Sequence, residues 1–468
     1  MKLADLTRDL PVEKTFPGNP EITGLTCDTR TLRPGNLFAA LPGTRADGND
    51  YIQTALDRGA AAVLCRTPPD APGPWLVTPA PRRTFALLCR TWFGDPAAGM
   101  TLVGVTGTNG KTTTKELVHA VLAKRYRTSA TKGNFNNHLG VPLTLLSIPA
   151  DTELAIVEMG ANHPGEIEFL CGIADPDCGL ITNVGRAHLE GFGSFEGVVH
   201  TKTELYRHLA GKHGLVFVNA DNERLMHEAE RLATIPGLRS FIPAYAPDNP
   251  AFVPSTIERT PISMLTYGTS PEADIHGTFV GSDPYLHFYF EVGDNVYNVR
   301  TRLLGNYNFD NCMAAVAVGL HFGVEPWDIK EAIEEYTPSN QRSEFKETSR
   351  GNRLYLDCYN ANPSSMEAAI TSFKTMNGTM AVIGGMHELG HDERKEHERV
   401  ISLLADCKLD KVLLVGPEWT PLPHPDNMLL FPDTNSLQAW LQANPVNGAT
   451  ILIKGSNTNR LWTLEETL

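Results

Sequence analysis

The fold of this chain is decided by residues 101–114, Thr101-Leu-Val-Gly-Val-Thr-Gly-Thr-Asn-Gly-Lys-Thr-Thr-Thr114. The stretch begins as a short apolar run typical of a buried strand, turns through glycines, and opens a pattern typical of a helix over 111–124. Glycines let backbone N–H groups face phosphate oxygens, and a helix N-terminus adds favourable partial charge. The stretch therefore predicts a strand, a phosphate-binding loop and a helix in an α/β domain.

Lys111 and Thr112 begin the predicted helix. At this position a lysine can reach the β- and γ-phosphates of a nucleotide, and a threonine hydroxyl can bind Mg²⁺. The strict phosphate-loop spacing would need glycine at position 105, which is Val105, so the relevant form runs from Gly107 to Gly110. An ordinary glycine-rich turn is the alternative, and the Gly-Lys-Thr sequence at the helix start argues against it.

The composition indicates a globular chain of several domains. Its 468 residues give room for roughly three domains at about 150 residues each. Hydrophobic residues make up 41% and charged residues 20%, as in ordinary globular enzymes. The net charge of −14 argues against a broad nucleic-acid surface and a polybasic membrane patch. Eight cysteines form no CxxC pair and are expected to be reduced.

The chain shows no targeting or membrane segment. Its first residues lack the apolar core of a secretory signal, and no apolar run approaches the roughly 20 residues that span a bilayer. We therefore expect a cytoplasmic protein without stable membrane insertion.

Three regions of the chain differ in pattern, and together they predict an α/β protein. Residues 1–97 carry short apolar runs and helical stretches and predict a small α/β domain. Residues 98–325 alternate strands with helices and predict a parallel sheet, to which the apolar–polar alternation over about 264–302 adds an antiparallel hairpin. Residues 326–468 again alternate strands with helices, and this pattern predicts a second, doubly wound sheet.

Three side chains in the predicted domain that contains the phosphate loop stand out as ligand candidates. Glu158 ends an apolar strand, where a carboxylate is well placed for Mg²⁺, although a helix cap or surface pair is an equal alternative. His188 follows another strand end, and from position alone it could be a hydrogen-bonded loop histidine. Lys202 lies in a predicted helix, and the pattern alone indicates a solvated lysine.

Asparagine-rich segments follow several predicted strands. Residues 131–137 suit a binding loop, and residues 305–311 could offer amides to a base or sugar or cap the helix predicted over 308–321. Residues 359–363 and 454–456 follow strands of the third region, where a ligand crevice is expected.

Taken together, these residues resemble the Mur ligase family, the ATP-dependent amide-forming enzymes of peptidoglycan precursor synthesis. The resemblance covers nearly the whole chain in the right order. Its marks, besides the phosphate loop, are Ile22-Thr-Gly-Leu-Thr-Cys-Asp-Thr-Arg30, Lys132-Gly-Asn-Phe-Asn-Asn137, Glu158-Met-Gly-Ala161, Ala187-His-Leu-Glu-Gly-Phe-Gly-Ser194, Tyr359-Asn-Ala-Asn-Pro-Ser-Ser-Met366 and Glu388-Leu-Gly390.

The resemblance implies three domains. The first, residues 1–97, would bind the uridine nucleotide of the substrate. The second, residues 98–325, would be a P-loop ATPase-like parallel sheet with an antiparallel addition. The third, residues 326–468, would be a Rossmann-like domain that closes over ATP and binds the incoming amine.

The resemblance also assigns roles to individual residues. Mg²⁺ would be bound by Thr112, Glu158, His188 and Lys202, with Lys202 carbamylated by CO₂. The catalytic residues would be Lys111, His188, Lys202 and Arg342. ATP would be bound by Gly107, Thr108, Asn109, Gly110, Lys111, Thr112, Thr113, Asn308, Asn311, Arg342 and Asp357. The other substrates would be bound by Asp28, Thr29, Arg30, Asn134, Asn136, Asn137, Tyr359, Asn360, Asn362, Lys454 and Ser456.

The activity that this resemblance implies is the joining of D-alanyl-D-alanine to UDP-N-acetylmuramoyl-tripeptide through an acyl phosphate, by a monomer. One alternative is the preceding ligase step, which adds a diamino acid to the UDP-linked dipeptide. Folylpolyglutamate synthesis fits less well, because it would leave the uridine domain unexplained. A nucleotide-binding regulator without ligase turnover is the alternative from another class.

Overall fold

The residues that the structure describes form three sheets, which follow one another along the sequence as the three predicted regions do. We describe it from a computed structural model over residues 1–43, 46–94, 99–234, 263–338, 344–376 and 378–468. The predicted catalytic residue Arg342 lies outside these ranges. So do residues 95–98, where the boundary between the first two predicted domains falls.

The first sheet has five strands in the order β1-β5-β4-β3-β2. Strands β2 to β5 are parallel, and β1 pairs antiparallel with β5. The elements of this region are α1 (Leu3–Leu6), β1 (Glu13–Lys14), β2 (Gly24–Thr26), β3 (Asn36–Ala39), α2 (Ile52–Asp57), β4 (Ala62–Cys65), β5 (Trp75–Val77) and α3 (Pro81–Phe93). A 3₁₀ turn at Gly48–Tyr51 leads directly into α2.

The second sheet has nine strands in the order β14-β13-β12-β11-β10-β9-β6-β8-β7. Its strands are β6 (Thr101–Thr106), β7 (Thr128–Ala130), β8 (Leu154–Glu158), β9 (Cys178–Ile181), β10 (Leu215–Asn219), β11 (Ser263–Gly268), β12 (Ile275–Ser282), β13 (Tyr285–Val292) and β14 (Asn295–Leu304). Its helices are α4 (Lys111–Leu122), α5 (Gly140–Ser147), α6 (Glu166–Ala174), α7 (Leu189–Phe192), α8 (Phe195–Lys202), α9 (Glu204–Gly211), α10 (Glu223–Thr234) and α11 (Asn308–His321).

The antiparallel part of this sheet begins one strand later than the sequence pattern indicates. Strand β11 pairs in parallel with β10 from Ser263 to Tyr267, and β12 pairs antiparallel with β13. The last three residues of β11 are buried, as in a parallel strand that is covered on both faces. The predicted hairpin at Gly293 is confirmed, since it joins β13 to β14.

The third sheet has six strands in the order β15-β16-β20-β17-β18-β19, all parallel except β15. Helix α12 (Pro326–Glu335) precedes β15 (Glu344–Glu347), β16 (Arg353–Asp357), α13 (Pro363–Lys374), β17 (Met380–Gly384), α14 (Glu393–Asp406), β18 (Lys411–Val415), β19 (Met428–Phe431), α15 (Thr434–Ala443) and β20 (Thr450–Lys454). Apolar side chains cover both faces of the sheet, as in a doubly wound domain.

The described residues pack as two compact units. The first comprises Met1–Gly104, Arg127–Gly160 and Glu168–Asp177, and the second comprises Val105–Tyr126, Ala161–Ile167 and Cys178–Leu468. In the first unit, Leu139 and Leu143 of the α5 region pack into the core that includes Phe85 and Leu88 of α3. Over the described ranges, no helix combines the length and the apolarity needed to cross a membrane.

Candidate active site

The phosphate loop lies between β6 and α4, as predicted. Gly107 has φ +141° and Gly110 has φ +79°, in the left-handed region that favours glycine. A Cβ at Gly107 would collide with the hydroxyl of Thr182, and one at Gly110 would collide with the side chain of Asn311. The loop therefore needs both glycines for its backbone shape and for the close approach of its neighbours.

The segment after β9 holds this loop in shape. Thr182 Oγ1 donates to Asn109 O at 2.5 Å, and the backbone N–H of Asn109 donates to Asn183 Oδ1 at 3.0 Å. The N–H of Gly185 donates to Thr108 Oγ1 at 3.0 Å. These bonds fix the loop before any ligand binds, as an anion cradle requires.

Lys111 lies over the loop that precedes it. Its Nζ donates to the carbonyls of Gly107 at 2.9 Å and Thr108 at 2.8 Å. The ammonium therefore lies beside the turn in which phosphate oxygens would be bound.

Gly110→Ala is expected to weaken ADP binding at least tenfold, or by at least about 1.4 kcal/mol. The new methyl group would displace the side chain of Asn311 and strain a residue that has positive φ. Isothermal titration with ADP measures the effect. Gly448→Ala is the matched control, because Gly448 also has positive φ, +64°, but open space around its Cβ position. Equal ADP affinity in Gly110→Ala and the parent would contradict this account of the loop.

The two asparagines predicted to contact adenine are buried and bonded to each other. Asn311 Nδ2 donates to Asn308 Oδ1 at 2.8 Å, and Asn308 Nδ2 donates to Leu304 O at 2.7 Å. Thr114 Oγ1 of α4 donates to Asn311 Oδ1 at 3.0 Å. In this structure the pair thus ties α11 to the helix of the phosphate loop, and their contact with a base stays a prediction.

Glu158 lies at the end of β8 and is almost fully buried, 1% exposed. Asn136 Nδ2 donates to its Oε1 at 2.7 Å, and the N–H of Glu158 donates to Thr131 Oγ1. Asn136 lies in the predicted binding loop, and Asn137 Oδ1 caps the turn into α5 by accepting from Gly140 N at 2.9 Å. A carboxylate has several lone pairs, which can accept hydrogen bonds or bind a cation.

Lys202 is buried, 3% exposed, although its helical pattern alone indicates a solvated lysine. Its Nζ donates to Ala161 O at 3.2 Å and lies 5.3 Å from the centre of the Phe192 ring. Burial lowers the pKa of Lys202 to about 7, and the charge of Lys111 acts in the same direction, against Glu204 and Glu166. A large fraction of this amine is therefore neutral at neutral pH, as reaction with CO₂ requires.

His188 precedes α7, and its Nδ1 is hydrogen-bonded to the carboxylate of Glu388. Burial lowers the pKa of His188, and Lys111 and Lys202 add to this effect, while Glu388 opposes it. A neutral imidazole is the form that binds metal.

The predicted donors suit Mg²⁺ by their chemistry. They are the Thr112 hydroxyl, the Glu158 carboxylate and the oxygens that a carbamate would add to Lys202, which are the hard oxygen ligands that Mg²⁺ prefers, with the imidazole nitrogen of His188 as the one other donor. Within the described ranges, no three His, Cys, Asp or Glu side chains form a metal cluster by themselves. A carbamate would supply the missing anionic oxygens.

In the third sheet, two residues predicted for different substrates are paired. Lys454 Nζ, 1% exposed, donates to Asp357 Oδ2 at 2.6 Å at the ends of neighbouring strands β20 and β16. Asp357 also lines a cleft together with Tyr307 and Tyr355. Ser456 begins a 3₁₀ turn, where its hydroxyl accepts from Thr458 Oγ1 at 3.0 Å.

Asn362 connects the third sheet to the phosphate loop. Its side chain caps α13 by accepting from Ser365 N at 2.9 Å, and its Nδ2 donates to Asn109 Oδ1 at 2.8 Å. Asn360 lies at the exposed end of the same segment, and its Oδ1 accepts from Ala361 N. The structure thus bonds Asn362 to a residue of the phosphate loop, and its predicted contact with substrate stays a prediction.

In the first unit, the predicted uridine-binding residues follow β2. Arg30 and Asp28 form a two-pronged ion pair, with Nη2 to Oδ2 at 2.7 Å and Nε to Oδ1 at 3.0 Å. The side chain of Arg30 is 86% exposed. Thr29 O accepts from Arg58 Nη1 at 2.8 Å. The exposed guanidinium can exchange its carboxylate partner for a phosphate.

Family models match three parts of the chain. The model for the Mur ligase family catalytic domain matches residues 21–82, that for the Mur ligase middle domain matches residues 105–236, and that for the Mur ligase glutamate ligase domain matches residues 341–457. The UDP-N-acetylmuramoyl-tripeptide–D-alanyl-D-alanine ligase of Bacillus subtilis is 33% identical over 94% of this chain and 92% of its own. The chain belongs to the Mur ligase family.

Other Mur ligases agree with this identification. The Escherichia coli enzyme of the same name is 32% identical, over 85% of this chain and 82% of its own. A crystal structure of MurF from Acinetobacter baumannii has a TM-score of 0.84 at 27% identity and covers 98% of this chain and 96% of its own. MurF from Thermotoga maritima in complex with ADP has a TM-score of 0.79 at 27% identity, over 95% and 96% of the two chains. The predicted three-domain α/β fold and ATP-dependent, ADP-forming ligase class are thereby confirmed.

Sequence reasoning assigned no role to several residues that this Mur ligase places around the site. Glu388 contacts His188, and Arg186 Nη1 is paired with the buried Glu396 at 3.1 Å. Glu388 lies in Glu388-Leu-Gly390, one of the segments that resemble the Mur ligase family, and this resemblance indicated that the residue has a function. Arg186 and Glu396 carried no signal, because their pairing depends on the packing of α14.

Asp310 in the first turn of α11 is a further residue to which the sequence pattern assigned no role. Burial and the charge of Asp221 raise the pKa of Asp310 to about 6, against a hydrogen bond from Asn219. Because the folded-state pKa is raised, the stability that the protonated group contributes is lost as the pH rises from about 4 through 6.

Asp310→Asn is therefore expected to raise the free energy of unfolding by about 2 kcal/mol at pH 8, with no gain near pH 4. Thermal melts of parent and variant across this range measure the difference. A difference in melting temperature that does not change with pH would contradict the raised pKa of this carboxyl.

Proposed function

We propose that this Mur ligase joins D-alanyl-D-alanine to UDP-N-acetylmuramoyl-tripeptide, with ATP converted to ADP and phosphate. The observation that carries the proposal is the similarity of nearly the whole chain to ligases named for this reaction. The geometry adds independent support, since a phosphate loop and a buried lysine with a pKa near neutrality lie in one compact unit.

The reaction has two steps. First, a carboxylate oxygen on the third residue of the stem peptide attacks the γ-phosphorus of ATP, and the bond to the β–γ bridging oxygen breaks. Then the dipeptide amine attacks the carbonyl carbon of the acyl phosphate, loses a proton and expels phosphate. The protein must position both partners and exclude water, because acyl phosphates hydrolyse.

The residues of the phosphate loop would bind and orient ATP. The N–H groups between Gly107 and Lys111 would face the phosphates, and Lys111 would exchange its two carbonyl acceptors for β- and γ-oxygens. Arg342 would add positive charge to the transferring group. Bound Mg²⁺ would supply further neutralisation of phosphate charge.

We assign the Mg²⁺ site to Thr112, Glu158, His188 and a carbamate on Lys202. The buried, partly neutral amine of Lys202 supports the carbamate, because a neutral amine attacks CO₂ and the product is an anion. The ring of Phe192 above Lys202 helps to exclude water. The anion would be balanced by the nearby charge of Lys111.

The remaining predicted residues are assigned to the other substrates. Residues 28–30 would bind the uridine diphosphate, and the asparagines of 134–137 the stem peptide. Residues 359–362 with Lys454 and Ser456 would bind the dipeptide, since they lie at the carboxyl ends of β16 and β20.

We further propose that the enzyme acts as a monomer in the cytoplasm. One chain supplies every residue assigned to ATP, Mg²⁺ and both other substrates, so no partner subunit is needed. The location in the cytoplasm is supported by the soluble substrates and by the bacterial pathway that the relatives' names imply.

Phosphate release with Mg-ATP tests the proposal. We expect release that needs both UDP-N-acetylmuramoyl-tripeptide and D-alanyl-D-alanine, with single D-alanine and a diamino acid as inactive controls. Release only with the UDP-linked dipeptide and a diamino acid would assign the preceding step instead. ATP turnover that needs neither carboxylate nor amine would favour a regulator.

A further inference from the structure

Glu388 reaches His188 from the third sheet. Glu388 follows β17, and His188 follows β9 of the second sheet, yet the carboxylate is hydrogen-bonded to Nδ1 of the imidazole. An ionised carboxylate can only accept a hydrogen bond, so the proton in this contact is on Nδ1. Nε2 is then the nitrogen with a lone pair for a metal ion.

The backbone is shaped for this contact on both sides. Glu388 has φ +61° and His188 has φ +51°, although neither is a glycine. L-residues rarely adopt such backbone conformations, which persist where the surrounding structure holds them. Gly390 continues the Glu388 turn at φ +55°, and its Cβ position lies 3.3 Å from the side chain of Glu190.

Other bonds hold the third sheet against the segment that carries His188. The N–H of Arg186 donates to Ser364 Oγ at 2.7 Å, and the Arg186 guanidinium is paired with Glu396 at 3.1 Å. Glu396 is 2% exposed, so this ion pair is costly to break. The contact between Glu388 and His188 therefore belongs to an interface of several polar bonds.

We propose that Glu388 is a positioning residue, which accepts the Nδ1–H of His188 and thereby presents Nε2 to Mg²⁺. This inference rests on the proposed function, in which His188 is a Mg²⁺ ligand. Metal-binding histidines commonly donate their second ring N–H to a carboxylate, which sets the tautomer and the ring orientation. Because the carboxylate comes from the third sheet, the Mg²⁺ site is complete only when that sheet is packed against the His188 segment.

Binding of Mn²⁺ to the ADP-loaded protein, followed by electron paramagnetic resonance, tests the proposal without turnover. We expect Glu388→Ala to weaken Mn²⁺ binding about 10–100-fold, the usual effect of losing such a partner. Glu388→Gln should recover most of the affinity, since its amide oxygen can still accept the Nδ1–H. Glu190→Gln is the matched control, because Glu190 is an exposed carboxylate two residues from His188, and it should bind as the parent does.

The ring tautomer provides a second readout. In protein with ¹⁵N-labelled histidine, the parent should show His188 protonated at Nδ1, and Glu388→Ala should show a mixture of tautomers. This measurement does not depend on Mn²⁺ affinity, and melting curves identify a variant that fails to fold.

The outcomes separate this inference from the proposed function. Parent-like Mn²⁺ affinity in Glu388→Ala, with weak binding in His188→Ala, would overturn the role of Glu388 and leave the ligand role of His188 standing. Parent-like affinity in His188→Ala would overturn the ligand role and the positioning role together. Equal loss in Glu388→Gln and Glu388→Ala with an unchanged tautomer would also overturn the positioning role.

Discussion

Lys111→Met is expected to lower kcat by at least about 10³-fold. Its ammonium lies over the phosphate loop, bonded to the carbonyls of Gly107 and Thr108, and would contact the γ-phosphoryl group as negative charge moves onto it. The free energy of unfolding should fall by only about 1 kcal/mol, because the lost bonds are ordinary ones in a half-buried loop. Phosphate release at saturating substrates and a thermal melt measure the two effects.

Lys124→Met is the matched control for Lys111→Met. Lys124 follows the same helix, α4, and pairs on the surface with Glu331 at 2.7 Å and Glu335 at 3.1 Å. Surface pairs contribute at most about 1 kcal/mol, so turnover should not change. A Lys111→Met enzyme within tenfold of the parent would show that the loop does not bind the transferring phosphoryl group.

Lys202→Ala is expected to lower kcat by about 10²–10³-fold, as removal of a preorganised charged group does. Acetate or propionate should restore part of the activity, because a free carboxylate can occupy the space of the carbamate. The measurement is phosphate release with and without the acid. Lys111→Met serves as the control, since the acid should not restore it. Parent-like turnover by Lys202→Ala without any acid would contradict the carbamate.

The pH dependence of the parent enzyme tests the same lysine. Because the pKa of Lys202 is lowered to about 7, its neutral fraction rises between pH 6 and pH 8. At pH 6 less of the amine is neutral, so the carbamate needs more CO₂ to form than it does at pH 8. Removal of dissolved CO₂ should therefore reduce turnover more at pH 6 than at pH 8, and added bicarbonate should reverse the loss. Turnover that does not respond to CO₂ at pH 6 would argue for a free amine.

The phosphate loop and the helices beside it could be predicted from the sequence, because local spacing determines them. Helix α11 begins and ends at the predicted residues, and α4 begins at Lys111 as expected. Strand β11 was harder, because a short run that alternates looks the same in either pairing direction. Its parallel partner is β10, and because 43 residues (220–262) separate the two strands, a local sequence pattern cannot identify this neighbour.

The contacts between distant residues could not be predicted. Lys454 and Asp357 are 97 residues apart, His188 and Glu388 are 200 apart, and Asn109 and Asn362 are 253 apart. Each pair forms only because sheets and loops that no local pattern relates are packed together. Lys202 shows the same limit, since its helical pattern alone indicates solvent while the structure buries it.

The most direct test of the central claim is transfer of oxygen from the stem peptide to phosphate. UDP-N-acetylmuramoyl-tripeptide labelled with ¹⁸O in the reacting carboxylate would be incubated with Mg-ATP, D-alanyl-D-alanine and the enzyme. Mass spectrometry should find the UDP-linked pentapeptide together with one ¹⁸O in each released phosphate. Unlabelled phosphate, or phosphate without pentapeptide, would contradict an acyl-phosphate ligase acting on these substrates.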